Sequence, residues 1–151
     1  MKKVNIDDLR NHQFQDAFIE YFQEFGYQIP ENDVFFETMN NEQDNKVLAY
    51  EADDKLIAFI MFRLERFTNW FFSEEVVFVR ELWVKKSYRN TGLASKLLIE
   101  VEAFAQRNQR FKLILTTDSA DDLYLKNGYI LDQSYTAKNN YSVYIKYLPL
   151  R

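Results

Sequence analysis

The stretch Leu82-Trp83-Val84-Lys85-Lys86-Ser87-Tyr88-Arg89-Asn90-Thr91-Gly92-Leu93-Ala94-Ser95-Lys96-Leu97-Leu98 decides the fold. It reads as the apolar end of a strand, a short basic turn, and an amphipathic helix opened by Gly92 and Ala94. Such a junction gathers backbone N–H groups that lack intrahelical acceptors at the positive end of a helix dipole, which attracts anions. Gly92 and the small Ala94 let a ligand approach the backbone, Arg89 can fork onto a phosphate, and Lys85, Lys86 and Lys96 add positive charge. A diphosphate is the natural guest. The competing reading is an ordinary turn glycine ahead of a surface helix.

Working upstream, Val76 to Val84 is an apolar strand with Arg80 on one face and Glu81 on the other, and each needs a partner or a wet cleft. Before it, Thr68-Asn69-Trp70-Phe71-Phe72-Ser73 is a dense aromatic run. It reads as core packed under a connecting loop, as the wall of an acceptor pocket, or as a dimer interface. Lys46 to Glu51 and Leu56 to Phe67 form a hairpin around Ala52-Asp53-Asp54-Lys55. Both faces of the second strand are apolar as far as Phe62, so it is expected inside the sheet. Val4 to Ile6 is a short first strand. Asp7 or Asp8 then caps a helix with Phe14, Ala17, Phe18, Tyr21, Phe22 and Phe25 on one face and Gly26 as its stop. Glu31 to Asn41 is a second helix, followed by a polar connector. His12, the single histidine, reads as a surface residue.

Downstream, Gly92 to Asn108 is a helix with an apolar stripe, Phe111 to Thr117 is a strand, and Asp118 or Ser119 caps a short helix that Gly128 ends. Tyr129 to Tyr135 and Tyr141 to Leu148 close as a hairpin. Strands interleaved with helices predict an α/β (α+β) architecture in one domain, 1–151.

Two blocks carry a family resemblance. Arg89-x-x-Gly92-Leu93-Ala94 after Trp83-Val84 resembles the acyl-CoA loop of the GNAT N-acetyltransferase superfamily, with Ala94 where the signature has Gly or Ala. Ala120-Asp121-Asp122-Leu123-Tyr124-Leu125-Lys126-Asn127-Gly128-Tyr129 is similar to the same family's A-x-x-L-Y-x-K-x-G block. The resemblance spans about residues 46 to 147, with 1–45 as a helical acceptor-side segment and 46–148 as the sheet and acyl-CoA site. It implies a mixed, mostly antiparallel sheet of about six to seven strands with about four helices. Its central parallel pair, Val76 to Val84 and Phe111 to Thr117, is expected to splay around the pantetheine. It implies acetyl-CoA as cosubstrate, held by backbone of Leu82, Trp83 and Val84 and by Arg89, Asn90, Thr91, Gly92, Leu93, Ala94 and Ser95.

The activity implied is transfer of the acetyl group to an amine of a small molecule or protein, through a tetrahedral intermediate. A free amine is mostly protonated at neutral pH, so a base is needed, and Glu81 is the candidate, with Glu74 and Glu75 in reserve. Tyr124 matches the family's general acid for the departing thiolate. A strand amide near Val84 is the expected oxyanion donor. Family members often carry an Asn before that helix, which Thr117-Asp118-Ser119 lacks; Thr116 or Asp118 is a weak substitute. The alternative is a GNAT-like module that binds acyl-CoA or a protein without catalysis.

Composition sets the outer limits. The chain has no cysteine and one histidine, which excludes thiolate catalysis, disulfides and zinc–thiolate sites, and no metal is expected. Residues 1–60 carry 13 acidic and 5 basic side chains, against 10 and 14 in residues 61–151. The basic part suits an anionic cosubstrate and the acidic part a cationic amine, although two solvated faces would read the same. With a net charge of -4 no nucleic acid is expected as partner, and without a spanning segment or signal core no membrane is expected and a cytoplasmic location is.

Overall fold

The computed structural model describes residues 1–42 and 44–150. The chain runs β1 (Lys2–Ile6), α1 (His12–Glu24), α2 (Asn32–Asn41), β2 (Lys46–Ala52), β3 (Lys55–Thr68), β4 (Ser73–Val84), a 3-10 turn (Lys86–Tyr88), α3 (Leu93–Arg107), β5 (Lys112–Thr117), α4 (Asp121–Lys126), β6 (Ile130–Leu131) and β7 (Ser142–Tyr147). The strands make a seven-stranded sheet in the order β1-β2-β3-β4-β5-β7-β6. β4 and β5 run parallel, in register Val77↔Leu113 and Phe78↔Ile114. β1 with β2, β5 with β7 and β6 with β7 are antiparallel. This is the mixed, helix-flanked sheet that the sequence predicts.

Two compact units divide the chain: Met1–Met61 with Glu81–Leu97, and Phe62–Arg80 with Leu98–Arg151. The first is built on interlocking rings. Phe14 and Phe18 of α1 meet Phe59 of β3 at 5.4 and 5.8 Å between centroids, and Phe59 meets Trp83 at 5.7 Å. Phe14, Phe18, Phe36 and Phe59 are all buried, and such aromatic area dominates the stabilisation of a core. Every residue from Leu56 to Phe62 is buried, as expected of an internal strand. In the turn before it, Asp53 and Asp54 have φ of 52° and 62°, the doubly left-handed pair of a tight hairpin whose twist matches its strands.

The cap of α1 differs from expectation. Asn11 holds it, accepting from Phe14 N at 3.0 Å. Asp8 instead accepts from the backbone and side chain of Arg10, both at 2.9 Å. Those bonds from Arg10 hold the Asp8 carboxyl down to about 2.

The second unit packs Val76 of β4, Ile114 of β5, and Val143 and Ile145 of β7. Phe62 meets Phe104 of α3 edge-on at 5.1 Å. Here neither Asp118 nor Ser119 caps α4: the N-cap is Ala120, with no side-chain cap, and Thr117 Oγ1 accepts from Ala120 N at 2.9 Å in the turn that leads into the helix. The expected long closing hairpin is shorter. β6 pairs only through Ile130↔Ile145 and Leu131↔Tyr144, because Asp132 then turns the chain by accepting from Ser134 N at 2.9 Å. Gly128, at φ 88°, ends α4 as predicted.

The aromatic run between β3 and β4 is not core. Trp70 is 99% exposed, Phe71 86% and Phe72 77%. Among the described residues no helix is long and apolar enough to cross a membrane.

Candidate functional site

The end of β4 is fixed by its neighbours in the first unit. Lys85 N donates to Ile57 O of β3 at 2.7 Å. The Trp83 side chain is buried, and its Nε1 donates to Glu24 Oε1 of α1 at 2.9 Å. The 3-10 turn then reverses the chain, with Tyr88 N donating to Lys85 O at 2.8 Å. Arg89 returns its Nε to Val84 O at 2.9 Å and pairs a second nitrogen with Glu24 Oε2. Glu24 therefore ties both the strand end and the loop to α1. Partial burial disfavours its charge, but the bonds from Arg89 and Trp83 outweigh that and lower its pKa. Lys85 Nζ is similarly held by Glu20 Oε1 at 2.8 Å.

The loop closes on two left-handed residues, Asn90 at φ 63° and Gly92 at φ 85°. Asparagine and glycine tolerate that region best. Thr91 Oγ1 donates to Tyr88 O at 2.5 Å, and Lys96 N donates to Gly92 O at 3.0 Å as α3 begins. A Cβ at Gly92 would meet no atom within 4 Å, so the space next to this turn is open, although its φ of 85° resists any side chain. Leu93 is buried and anchors the helix, while Ala94 and Ser95 are half-buried. The result is an exposed turn leading into the amino end of a fifteen-residue helix, where backbone N–H groups converge. That donor set fits a pyrophosphate.

Half-buried Glu81 lies in the same unit and accepts from Tyr21 OH of α1 at 2.9 Å. The reserve carboxylates belong to the second unit and are held in ion pairs. Glu74 meets Lys112 Nζ at 2.9 Å and Tyr135 OH at 2.6 Å, and Glu75 meets Arg66 at 2.6 Å and Arg110 at 3.3 Å. The Glu74 pKa is lowered, chiefly by the Tyr135 hydrogen bond. Tyr124, also in the second unit, is buried on α4 against the rings of Tyr129 at 5.7 Å and Tyr144 at 6.3 Å. Tyr144 OH donates to Asp121 Oδ2 at 2.7 Å.

Leu82 to Val84, Arg89 to Ser95 and Glu81 are thus gathered in one unit, with Tyr124 in the other. Three further residues at these positions escape a reading of the sequence: Tyr21, Glu24 and Asn139. Asn139 Nδ2 donates to Thr116 Oγ1 at 3.1 Å, bringing an asparagine amide from downstream to the end of β5. Glu20 and Glu24 sit one turn apart on α1, at the spacing of a solvated helix face, and Tyr21 lies on its aromatic face, so nothing in the sequence marks their roles. Among the described residues no cluster of three or more His, Cys, Asp or Glu side chains could hold a metal.

The chain belongs to the acetyltransferase (GNAT) family, whose model matches residues 7–129. Among solved structures, it is similar to an integron cassette protein from the mobile metagenome of V. cholerae, with 18% identity over 90% of this chain and 89% of that one and a TM-score of 0.76. It is similar to Arabidopsis thaliana NAA60 in complex with a bisubstrate analogue, with 15% identity over 99% and 100% and a TM-score of 0.71. It is also similar to ribosomal-protein-alanine N-acetyltransferase from Brucella melitensis biovar Abortus 2308, with 20% identity over 91% and 98% and a TM-score of 0.71. No curated protein matches the chain.

Proposed function

We propose that the protein transfers the acetyl group of acetyl-CoA to the amine of a small molecule or protein. The observation that carries this is the open turn at Asn90 to Gly92, which leads from β4 into the amino end of α3. In this reading the backbone amides of Asn90, Thr91, Gly92, Leu93, Ala94 and Ser95 receive the pyrophosphate, and backbone of Leu82, Trp83 and Val84 pairs with the pantetheine. The buried Trp83 side chain leaves only its backbone for that task. Arg89 braces the turn through Val84 O and Glu24, and its positive charge stands beside the anion.

Glu81 is the proposed base, acting through water, with Tyr21 OH orienting its carboxylate. A strand amide near Val84 donates to the oxyanion, and Tyr124 donates a proton to the departing thiolate. The acidic excess of residues 1–60 favours a cationic acceptor.

Calorimetry with the purified protein tests the donor half: acetyl-CoA binds the native chain, and Gly92→Glu, which puts a carboxylate over the anion site, abolishes binding. A native protein that binds neither acetyl-CoA nor CoA would sink the proposal. An amine panel tests the catalytic half. Tyr124→Phe should lower kcat about 100-fold or more with acetyl-CoA affinity retained. Binding without turnover on any amine would leave a non-catalytic acyl-CoA module as the reading.

A further inference from the structure

The hairpin between β3 and β4 ends in Phe67-Thr68-Asn69-Trp70-Phe71-Phe72-Ser73, which contains no charged residue. This aromatic tip is held in one shape. Asn69 Oδ1 accepts from the backbone N–H of Phe71 at 2.8 Å and of Phe72 at 2.9 Å, and Asn69 N donates to Phe72 O at 2.8 Å. Thr68 Oγ1 adds a bond to Phe72 O at 3.2 Å. The turn is therefore ordered before anything binds, and little backbone entropy is left to lose on docking.

Behind the tip stands a collar of paired charges, three cations on two carboxylates. Arg66 and Glu75 pair across the hairpin at 2.6 Å, Arg110 also reaches Glu75 at 3.3 Å, and Lys112 reaches Glu74 at 2.9 Å. At roughly 3.3 Å per strand residue the collar lies about 10 Å behind the tip. That distance matches the ~5–10 Å to which apolar groups of peripheral proteins sink into the headgroup and acyl boundary.

The size of the patch separates the candidate occupants. Three exposed aromatic side chains of roughly 150–250 Å² each offer about 500 Å². A stable dimer buries about 800 Å² on each partner, more than this patch offers. A lipid interface needs no complementary pocket, and tryptophan favours that zone.

We propose that Trp70, Phe71 and Phe72 form a lipid-surface anchor that inserts reversibly into the interfacial zone of a zwitterionic bilayer, with the Arg66–Glu75 pair at headgroup level. The sequence-based expectation of no membrane partner concerned spanning segments, and a hairpin tip engages a bilayer by another route. Because every collar cation is paired with a carboxylate, little unbalanced charge faces the lipid, and docking requires neither anionic lipid nor low salt.

The chain carries its own reporter, since Trp83 is buried and Trp70 is solvated. With phosphatidylcholine vesicles, Trp70 emission should shift to the blue and be quenched by lipids brominated on their acyl chains. The effect should be equal with added phosphatidylserine and unchanged in high salt. A Phe71→Ser, Phe72→Ser double variant, shown folded by circular dichroism, should partition about 10-fold or more weakly. Absence of both spectral change and vesicle co-sedimentation at saturating lipid would overturn the proposal. So would binding that needs phosphatidylserine and vanishes in salt. A dimer seen by sedimentation that the double variant makes monomeric would assign the tip to a second copy instead.

Discussion

At the scale of single residues, Glu24 organises the donor side of the first unit. It accepts from the buried Trp83 indole and pairs with Arg89, which in turn holds Val84 O. Glu24→Ala leaves a buried donor without its acceptor and should cost about 1–3 kcal/mol in urea denaturation. Glu24→Gln keeps an oxygen facing the indole and should recover most of that loss. If both variants unfold at the native midpoint, the bridge is not structural. None of this is legible in the sequence, where Glu20 and Glu24 have the spacing of a solvated helix face. The role appears only when the fold brings together positions 59 residues apart. Glu81 shows the same limit: its alternation demands a partner, but only the fold identifies Tyr21.

At the scale of elements, strands and long helices follow their periodicity, and their ends do not. The β2–β3 hairpin is readable because two aspartates accept left-handed backbone where most residues resist it. Asp54→Gly relieves that resistance at φ 62° and should stabilise the protein by about 0.5–1 kcal/mol, seen as a higher Tm. An unchanged or lowered Tm would mean that the Asp54 side chain contributes more than its backbone strain costs. Helix caps are not fixed by sequence where several short polar residues compete. Asp7, Asp8 and Asn11 can each cap a helix, and the choice falls to Asn11 because Asp8 is engaged with Arg10. At α4 neither Asp118 nor Ser119 caps, because the helix starts after Ala120 and Thr117 Oγ1 instead fixes the turn ahead of it. The run Trp70-Phe71-Phe72 has no period, so sequence cannot tell a buried face from an exposed one.

At the scale of the molecule, buried and paired ionisable groups set a stability window in pH. Asp8 near 2, together with Glu24, Glu74 and Asp132, has a folded pKa below the unfolded carboxylate range. Their stabilisation is complete above about pH 5 and is lost as pH falls through the folded values. Tyr129 moves the other way: burial, then Glu102, raises its pKa. Lys112 is raised as well, since bonds from Tyr135 and Glu74 outweigh the effect of burial on its charge. Both contribute fully below about pH 10 and lose that contribution as pH rises further. Urea midpoints measured across pH should be flat near neutrality and fall on both sides. A midpoint still rising below about pH 4 would contradict the acidic arm. The order of the strands has a different outcome, for behaviour in concentrated solution. The terminal strands of the sheet are β1, whose Lys2 and Lys3 are exposed, and β6, which offers two residues before Asp132 turns away. A fibril-forming strand would meet lysines at one border and a stub at the other, so the sheet resists growth by edge addition.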